Sequence, residues 1–136
     1  MFYATKIQHE DGEFVVSFPD IPEAITSGDT IEEAKQEAIN ALVTAFEFYF
    51  EDQRAIPMPK EYEGLECTEV PLSVWAKVLT LNTMLEQRIS QADLARQMGT
   101  RKQEIQRIIS LDHTTKIDTL HAAMAAMGKH FTLTIA

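Results

Sequence analysis

The stretch QADLARQMGTRKQEIQRI, residues 91–108, has the pattern of two short helices that meet at a sharp turn. Ser90, directly before it, is a helix start signal, because a serine oxygen can accept a backbone N–H in the first turn of a helix. Gly99 tolerates the left-handed backbone that ends a helix, and Thr100 with Gln103 offers a second start signal after it. The stretch therefore predicts a helix-turn-helix unit.

The side chains needed between two such helices stand at the expected spacing. Ala95 is small enough for the second helix to approach the first closely, and apolar residues line the face that the helices would share. If Gln91 is counted as the first position, positions 4, 5, 8, 9, 15 and 18 all hold the residue type that the motif requires. The predicted packing residues are Leu94, Ala95, Met98, Gly99, Ile105 and Ile108.

The outward face of the second helix carries residue types that read DNA. Arginine pairs with guanine through two hydrogen bonds, glutamine suits adenine, and lysine contacts phosphate or guanine. A threonine at a helix N-terminus can add a phosphate contact. The alternative is a helical packing module whose exposed helix is basic by chance. The predicted DNA contacts are Thr100, Arg101, Lys102, Gln103, Gln106 and Arg107.

The segments on either side of this stretch are also predicted to be helical, except for the end of the chain. An apolar stripe from Val74 to Leu85 predicts a helix that ends near Arg88, and a fourth helix is expected to end at Gly128. HFTLTIA, residues 130–136, alternates polar and apolar residues, which is typical of a strand. A lone strand exposes unpaired edges, so we expect it to pair with a second copy through Phe131, Leu133 and Ile135. Such a dimer would read two half-sites about one DNA turn apart.

The first half of the chain has the pattern of a small sheet with one long helix. Alternating residues before and after the Asp11-Gly12 turn predict a hairpin. The stretch that follows is rich in proline and glycine and is predicted to turn the chain, and the pair Thr30 and Glu33 predicts a helix from Ile31. CTEVPLS, residues 67–73, predicts one more short strand, at a sheet edge because it contains a proline.

These elements together predict an α+β protein of two domains. The first domain, residues 1–72, would be a small antiparallel sheet with a packed helix. The second domain, residues 73–136, would be an all-α helix-turn-helix domain with a terminal β-strand. The aromatic run FEFYFE, residues 46–51, fits the core-facing end of the long helix, but it could also leave a ring exposed as an anchor for a partner.

The charge of the chain is divided unevenly between the two halves. The formal net charge is −9, but residues 1–68 hold 15 Asp/Glu against 4 Lys/Arg, whereas residues 69–136 hold 8 Lys/Arg against 6 Asp/Glu. Such asymmetry indicates two halves with different partners, although an acidic surface can also serve solubility alone. The chain has no apolar run of about 18 residues and no secretory signal pattern, and Cys67 is its single cysteine, so the cytoplasm is the expected location.

Enzymatic chemistry has little support in the sequence. The histidines His9, His113, His121 and His130 are scattered without metal-ligand spacing, and no cofactor motif is present. A carboxylate-bound two-metal nuclease could be assembled only from residues such as Asp11, Asp20, Glu23 and Asp29. Acidic residues are expected in turns and on exposed helix faces anyway. We therefore predict no catalytic residue, no metal and no cofactor.

The stretch FVVSFPDIPEAITSGDTIEEAKQEAINAL, residues 14–42, resembles the signature of the HicB antitoxin family. The segments ALVTAFEFYFEDQRAIPMP and EVPLSVWAKVLTLN also resemble the subgroup that carries a C-terminal helix-turn-helix, so the resemblance covers essentially the whole chain. The matching residues are Phe18, Pro19, Asp20, Ile21, Pro22, Glu23, Ala24, Thr26, Gly28, Asp29, Thr30, Glu32, Glu33 and Ala34.

This resemblance implies a reduced RNase H-like first domain without catalytic activity, and a protein partner. HicB-type proteins bind HicA-type toxins, which are small basic ribonucleases that cleave mRNA. The acidic half would then cover the toxin, and the helix-turn-helix would bind operator DNA as a dimer and repress the toxin–antitoxin operon. The residues expected to contact the toxin, chosen mainly by charge, are Asp20, Ile21, Glu23, Asp29, Glu47 and Glu51. A stand-alone repressor whose first domain senses a small ligand is the alternative.

Overall fold

The computed structural model describes all 136 residues, which divide into two compact units. The first unit comprises Met1–Tyr49 and Ile56–Leu72, and the second comprises Phe50–Ala55 and Ser73–Ala136. The elements along the chain are β1 (Phe2–Glu10), β2 (Glu13–Ser17), β3 (Ile25–Gly28), α1 (Ile31–Glu51), β4 (Glu66–Glu69), α2 (Leu72–Gln87), α3 (Gln91–Met98), α4 (Lys102–Ile108) and α5 (Ile117–Ala126). The predicted α+β class is confirmed. The expected boundary after residue 72 differs from this division in one place, because residues 50–55 group with the second unit.

The sheet of the first unit is antiparallel, with the strand order β3-β2-β1-β4. The predicted hairpin joins β1 to β2, with Glu10 opposite Glu13. Asp11 and Gly12 form the two-residue turn between them, with φ of 49° and 82°. Two consecutive positive φ angles give the backbone twist that matches paired strands, which is why Asp-Gly is a favoured sequence there.

Strand β3 lies in a stretch that the sequence pattern predicted to be turns only. It pairs with β2, placing Val16 opposite Thr26. Four residues are too few to produce a recognisable alternation among prolines and glycines. Gly28 ends this strand against the start of α1, where a Cβ would lie 2.6 Å from the backbone nitrogen of Ala34. Glycine at this position therefore permits a close approach between the strand and the helix.

Helix α1 begins as predicted and packs its apolar stripe into the core of the first unit. The Thr30 hydroxyl accepts from the Glu33 backbone N–H at 3.1 Å, and the Glu33 carboxylate accepts from the Asp29 N–H at 3.3 Å. Phe46 meets Tyr3 of β1 edge to face, with ring centroids 5.6 Å apart. The buried residues of the helix within the first unit follow a three-to-four spacing: Ala34, Ala38, Leu42, Ala45, Phe46 and Tyr49.

Strand β4 is at an edge of the sheet, as its neighbouring proline suggested. It pairs only with β1, and Pro71 follows the end of the strand. The buried hydroxyls of Thr5 on β1 and Thr68 on β4 lie diagonally across the pair, with their oxygens 2.6 Å apart. The hydrogen bond between them gives each buried hydroxyl a partner in place of water.

The second unit contains α3, α4, α5 and all of α2 after Leu72, and α3 packs against both α4 and α5. Gly99 ends α3 with φ of 67°, and Gly128 follows α5 with φ of 75°. The predicted start of α4 differs in detail, because its N-cap is Arg101 and no side chain caps it. Thr100 lies one residue too early for its hydroxyl to act as that cap. None of the helices combines the length and the apolar character that crossing a bilayer requires.

The C-terminal segment differs from the predicted strand. Residues 129–136 have no regular secondary structure in the single chain. All four strands belong to the first unit, so the tail has no sheet edge within its own unit. Leu133 and Ile135 are exposed, at 80% and 100%, while Phe131 is half-buried near the ring of His121. Pairing of this tail with a second copy stays a prediction.

Candidate functional site

Two short helices and the turn between them form the surface predicted to meet DNA. The Ser90 hydroxyl accepts from the Asp93 N–H at 3.0 Å and so caps α3. At the other end, the N–H groups of Gly99 and Thr100 donate to the carbonyls of Arg96 and Ala95. The left-handed Gly99 thus satisfies the last carbonyls of α3 while it redirects the chain into α4.

The residues predicted to pack α3 against α4 are brought together largely as expected. Leu94 and Ile105 are fully buried, and Ala95 and Ile108 are nearly so. Met98 is half-buried and Gly99 is exposed in the turn. Burial of Leu94 and Ile105 on facing helices fixes which side of α4 turns outward.

The outward side of α4 is basic and rich in amides. Five of the six residues predicted to contact DNA are exposed there, and Thr100 is half-buried in the turn. The exposed residues are Arg101, Lys102, Gln103, Gln106 and Arg107. Long donor side chains on one exposed helical face suit hydrogen bonds to phosphates and base edges.

A buried lysine on α2 holds the far end of α4, and it was not among the residues predicted from the sequence. Lys77 is only 4% exposed. Its Nζ donates to the carbonyl oxygens of Arg107 at 3.0 Å, Ser110 at 2.6 Å and His113 at 2.6 Å. Burial lowers the pKa of this ammonium from its usual value. The available signal was a single charge inside the otherwise apolar run VWAKVL, residues 74–79.

Helix α2 holds the end of α5 in a similar way. The Gln87 side-chain amide donates to the Met127 carbonyl at 2.7 Å. The last carbonyls of any helix lack partners within that helix, so outside donors stabilise its end. The side chains of α2 therefore supply such donors to both α4 and α5.

Of the six residues predicted to contact a toxin, one is buried and two make hydrogen bonds within the chain. Ile21 is fully buried, so it belongs to the core and is withdrawn as a contact residue. Asp20 accepts from the Lys60 N–H at 2.9 Å and from the Tyr62 hydroxyl at 2.8 Å, which raises the pKa of that phenol. Glu23 accepts from the Tyr49 hydroxyl at 2.7 Å. Charge alone did not reveal these internal bonds.

A groove runs between β3 and α1 on the first unit. It has a volume of about 250 Å³, and its lining includes Glu23, Ile25, Glu37 and Phe48; we call it the β3–α1 groove. Ile25 is 65% exposed and Phe48 is 53% exposed. The other rings of the aromatic run are buried, so Phe48 is the ring that this run leaves exposed. Asp29 and Glu51 are exposed and Glu47 is half-buried, but they do not line the groove.

The remaining chemistry-bearing side chains form no cluster. No group of three or more His, Cys, Asp or Glu residues is placed to hold a metal ion. Cys67 is a free, exposed cysteine on β4. The features that stand out are therefore surfaces, namely the basic face of α4 and the β3–α1 groove.

Comparison with known proteins identifies the family. Residues 2–79 match the family described as HicB_like antitoxin of bacterial toxin-antitoxin system. The chain is 59% identical over 133 residues to Antitoxin HicB 2 of Photorhabdus laumondii, covering 98% of this chain and 95% of that protein. It is 50% identical over 124 residues to Antitoxin HicB of Escherichia coli K12, covering 90% of each. It is 35% identical over 135 residues to Antitoxin HicB of Pseudomonas fluorescens Pf0-1, covering 98% of this chain and 92% of that protein. The chain therefore belongs to the HicB-like antitoxins of bacterial toxin–antitoxin systems, a family of proteins that are not enzymes.

Proposed function

We propose that this antitoxin has two binding activities on two separate surfaces. Its first unit binds and neutralises a HicA-type mRNA-cleaving ribonuclease. Its second unit binds operator DNA as a dimer through α4 and represses the toxin–antitoxin operon. The observation that carries the proposal is the division of charge. The first unit holds 14 Asp/Glu against 3 Lys/Arg, whereas the second holds 9 Lys/Arg against 7 Asp/Glu.

The β3–α1 groove supports toxin binding by the first unit. Ile25 and Phe48 offer exposed apolar anchors beside the carboxylates of Glu23 and Glu37. Interfaces gain most of their affinity from a few apolar or aromatic anchors, while complementary charge accelerates the encounter. A basic ribonuclease fits this combination. The open edge of β3 adds unpaired backbone groups to the same region.

The exposed face of α4 supports DNA binding by the second unit. Arg101, Lys102 and Arg107 give it positive charge, and Gln103 and Gln106 add amides that can read bases. The acidic first unit opposes nonspecific DNA binding by repulsion, so affinity depends on contacts made by this face. Arg107 is the residue that we propose as the main base reader.

The exposed C-terminal tail supports a dimer. Leu133 and Ile135 would be costly to leave in water, and with Phe131 they form one face of a potential strand. Two tails that pair across a two-fold axis would place two copies of α4 on one side of a DNA duplex. The dimer contacts that we propose are therefore Phe131, Leu133 and Ile135.

Co-expression of the full chain with the HicA-type toxin encoded beside its gene tests this proposal. We expect a stable complex in which the toxin no longer cleaves RNA. The full chain is required, because residues 50–55 pack with the second unit and a fragment ending at residue 72 would lose those contacts. A purified chain that binds its operator but leaves the toxin active would favour a stand-alone repressor with a ligand-sensing first domain.

A further inference from the structure

We propose that Lys77 is a positioning residue that fixes the C-terminal end of α4 and thereby aims Arg107 at DNA. The proposal rests on the proposed DNA binding by α4 and extends it to a residue that does not touch DNA. Lys77 lies on α2 and is 4% exposed, so it acts through the helix that it holds.

The geometry around the ammonium is that of a three-point clamp. The Nζ–O distances are 3.0 Å to Arg107, 2.6 Å to Ser110 and 2.6 Å to His113. A lysine ammonium has three N–H donors and no acceptor, so all three donors are used. The chain from residue 107 to residue 113 therefore wraps around one buried cation.

The end of α4 needs such a clamp because the helix is short. With seven residues, it is far below the length at which an isolated helix is stable in water. The carbonyl end of a helix carries partial negative charge, which a buried cation stabilises. The N-cap, Arg101, has no side-chain cap hydrogen bond, so α4 lacks a comparable polar anchor at its start.

The clamp acts directly on the backbone of the proposed base reader. Lys77 binds the carbonyl of Arg107 itself, one of the last residues of α4. Base reading requires the side chain to meet a base edge with two correctly placed hydrogen bonds, whereas phosphate contacts tolerate more movement. Loss of the clamp should therefore weaken specific binding more than nonspecific binding.

Replacement of Lys77 by methionine tests this inference, with Thr80→Val as the matched control. Thr80 is also buried on α2, but its hydroxyl donates to the Ala76 carbonyl of the same helix at 2.8 Å. Both variants remove a buried polar group from α2, and only Lys77→Met releases the end of α4. Binding to operator and to scrambled duplex is measured well below the melting temperature of each variant.

We expect Lys77→Met to lose about tenfold in operator affinity, with binding to scrambled DNA within about twofold of the wild type. Thr80→Val should keep the wild-type ratio between the two DNAs. An unchanged ratio in Lys77→Met, or an equal loss in Thr80→Val, would overturn the inference. If Lys77→Met does not fold, Lys77→Arg carries the test, because its planar guanidinium keeps the charge but cannot reproduce the three-point geometry.

Amide hydrogen exchange separates failure of this inference from failure of the proposed function. We expect faster exchange at residues 108–113 in Lys77→Met than in Thr80→Val, with or without DNA. A wild-type protein that shows no preference for operator would refute DNA reading by α4, even where the exchange confirms the clamp. A wild type that prefers operator, with unchanged exchange in Lys77→Met, would refute the clamp alone.

Discussion

Asp20 in the first unit and Lys77 in the second perform the same task in different surroundings. Each side chain holds a segment that is distant in sequence. Asp20 accepts from the backbone N–H of Lys60 and from the side-chain hydroxyl of Tyr62. Lys77 donates to three backbone carbonyls within residues 107–113. Asp20 does so near solvent, where water can replace a lost bond. Lys77 does so in the interior, where a lost donor leaves carbonyls without partners. The hydrogen bonds of Asp20 are therefore a minor support in the first unit, whereas those of Lys77 determine the position of a helix in the second unit.

The largest expected effect comes from removing the buried anchor. Lys77→Ala should lower the free energy of unfolding by about 3 kcal/mol, because it leaves a cavity and up to three unsatisfied carbonyls. Urea denaturation measures this loss. Lys129→Ala, at an exposed lysine of the same unit, is the control and should change stability by less than about 0.5 kcal/mol. If Lys77→Ala lost no more stability than Lys129→Ala, Lys77 would not be the stronger anchor that its contrast with Asp20 implies.

The next effect is expected in operator binding, from a change on the exposed face of α4. Arg107→Ala should weaken operator binding by about 2 kcal/mol without a matching loss of stability, because the side chain is exposed and is proposed to read a base. A gel-shift or fluorescence titration at fixed salt measures it. Arg96→Ala removes an exposed arginine of α3 instead. An equal loss in that variant would mean that charge, rather than base reading, determines operator affinity.

A corresponding test for the first unit places a positive charge in the β3–α1 groove. Phe48→Arg should weaken toxin binding by about 2 kcal/mol, because it removes an aromatic anchor and repels a basic partner. Calorimetric titration of toxin into antitoxin measures the change. Phe2→Arg is a matched control, since Phe2 and Phe48 are each 53% exposed. If both variants bind toxin as the wild type does, the groove is not the toxin site.

The smallest expected effect concerns Asp20, the anchor that lies near solvent. The bond to Asp20 raises the pKa of Tyr62 above its usual 10.0, so the neutral phenol is favoured in the folded protein. Its stabilisation is present below pH 10.0 and is lost as the pH rises through the raised pKa. Asp20→Asn should shift the Tyr62 titration, followed by ultraviolet absorbance, toward lower pH. An unshifted titration would mean that this bond does not form in solution.

The sequence was sufficient where one residue type determines a backbone state. Asp11-Gly12, Thr30 with Glu33, and Gly99 were each recognised from local rules, and each forms the predicted turn or cap. Strand β3 was missed because four residues between prolines and a glycine give no period to detect. The C-terminal strand was predicted from alternation alone, which does not reveal whether a sheet edge is available.

The exposure of a site residue could be predicted from the sequence only where it depends on which face of a helix the residue occupies. The exposed side of α4 followed from the spacing of its buried residues, so Arg101, Lys102 and Arg107 were located correctly as exposed. Ile21 was misread as a contact residue, and the internal bonds of Asp20 were missed, because both environments depend on residues far away in sequence, such as Tyr62. Lys77 was missed for the same reason, since its three acceptors lie at least 30 positions further along the chain.

Operator affinity and toxin inhibition measured on the same preparations of Arg107→Ala and Phe48→Arg test the central claim most directly. If the two units carry separate functions, Arg107→Ala loses operator binding and still silences the toxin, whereas Phe48→Arg loses toxin inhibition and still binds the operator. The claim would be contradicted if Arg107→Ala, while folded, no longer inhibited RNA cleavage by the toxin.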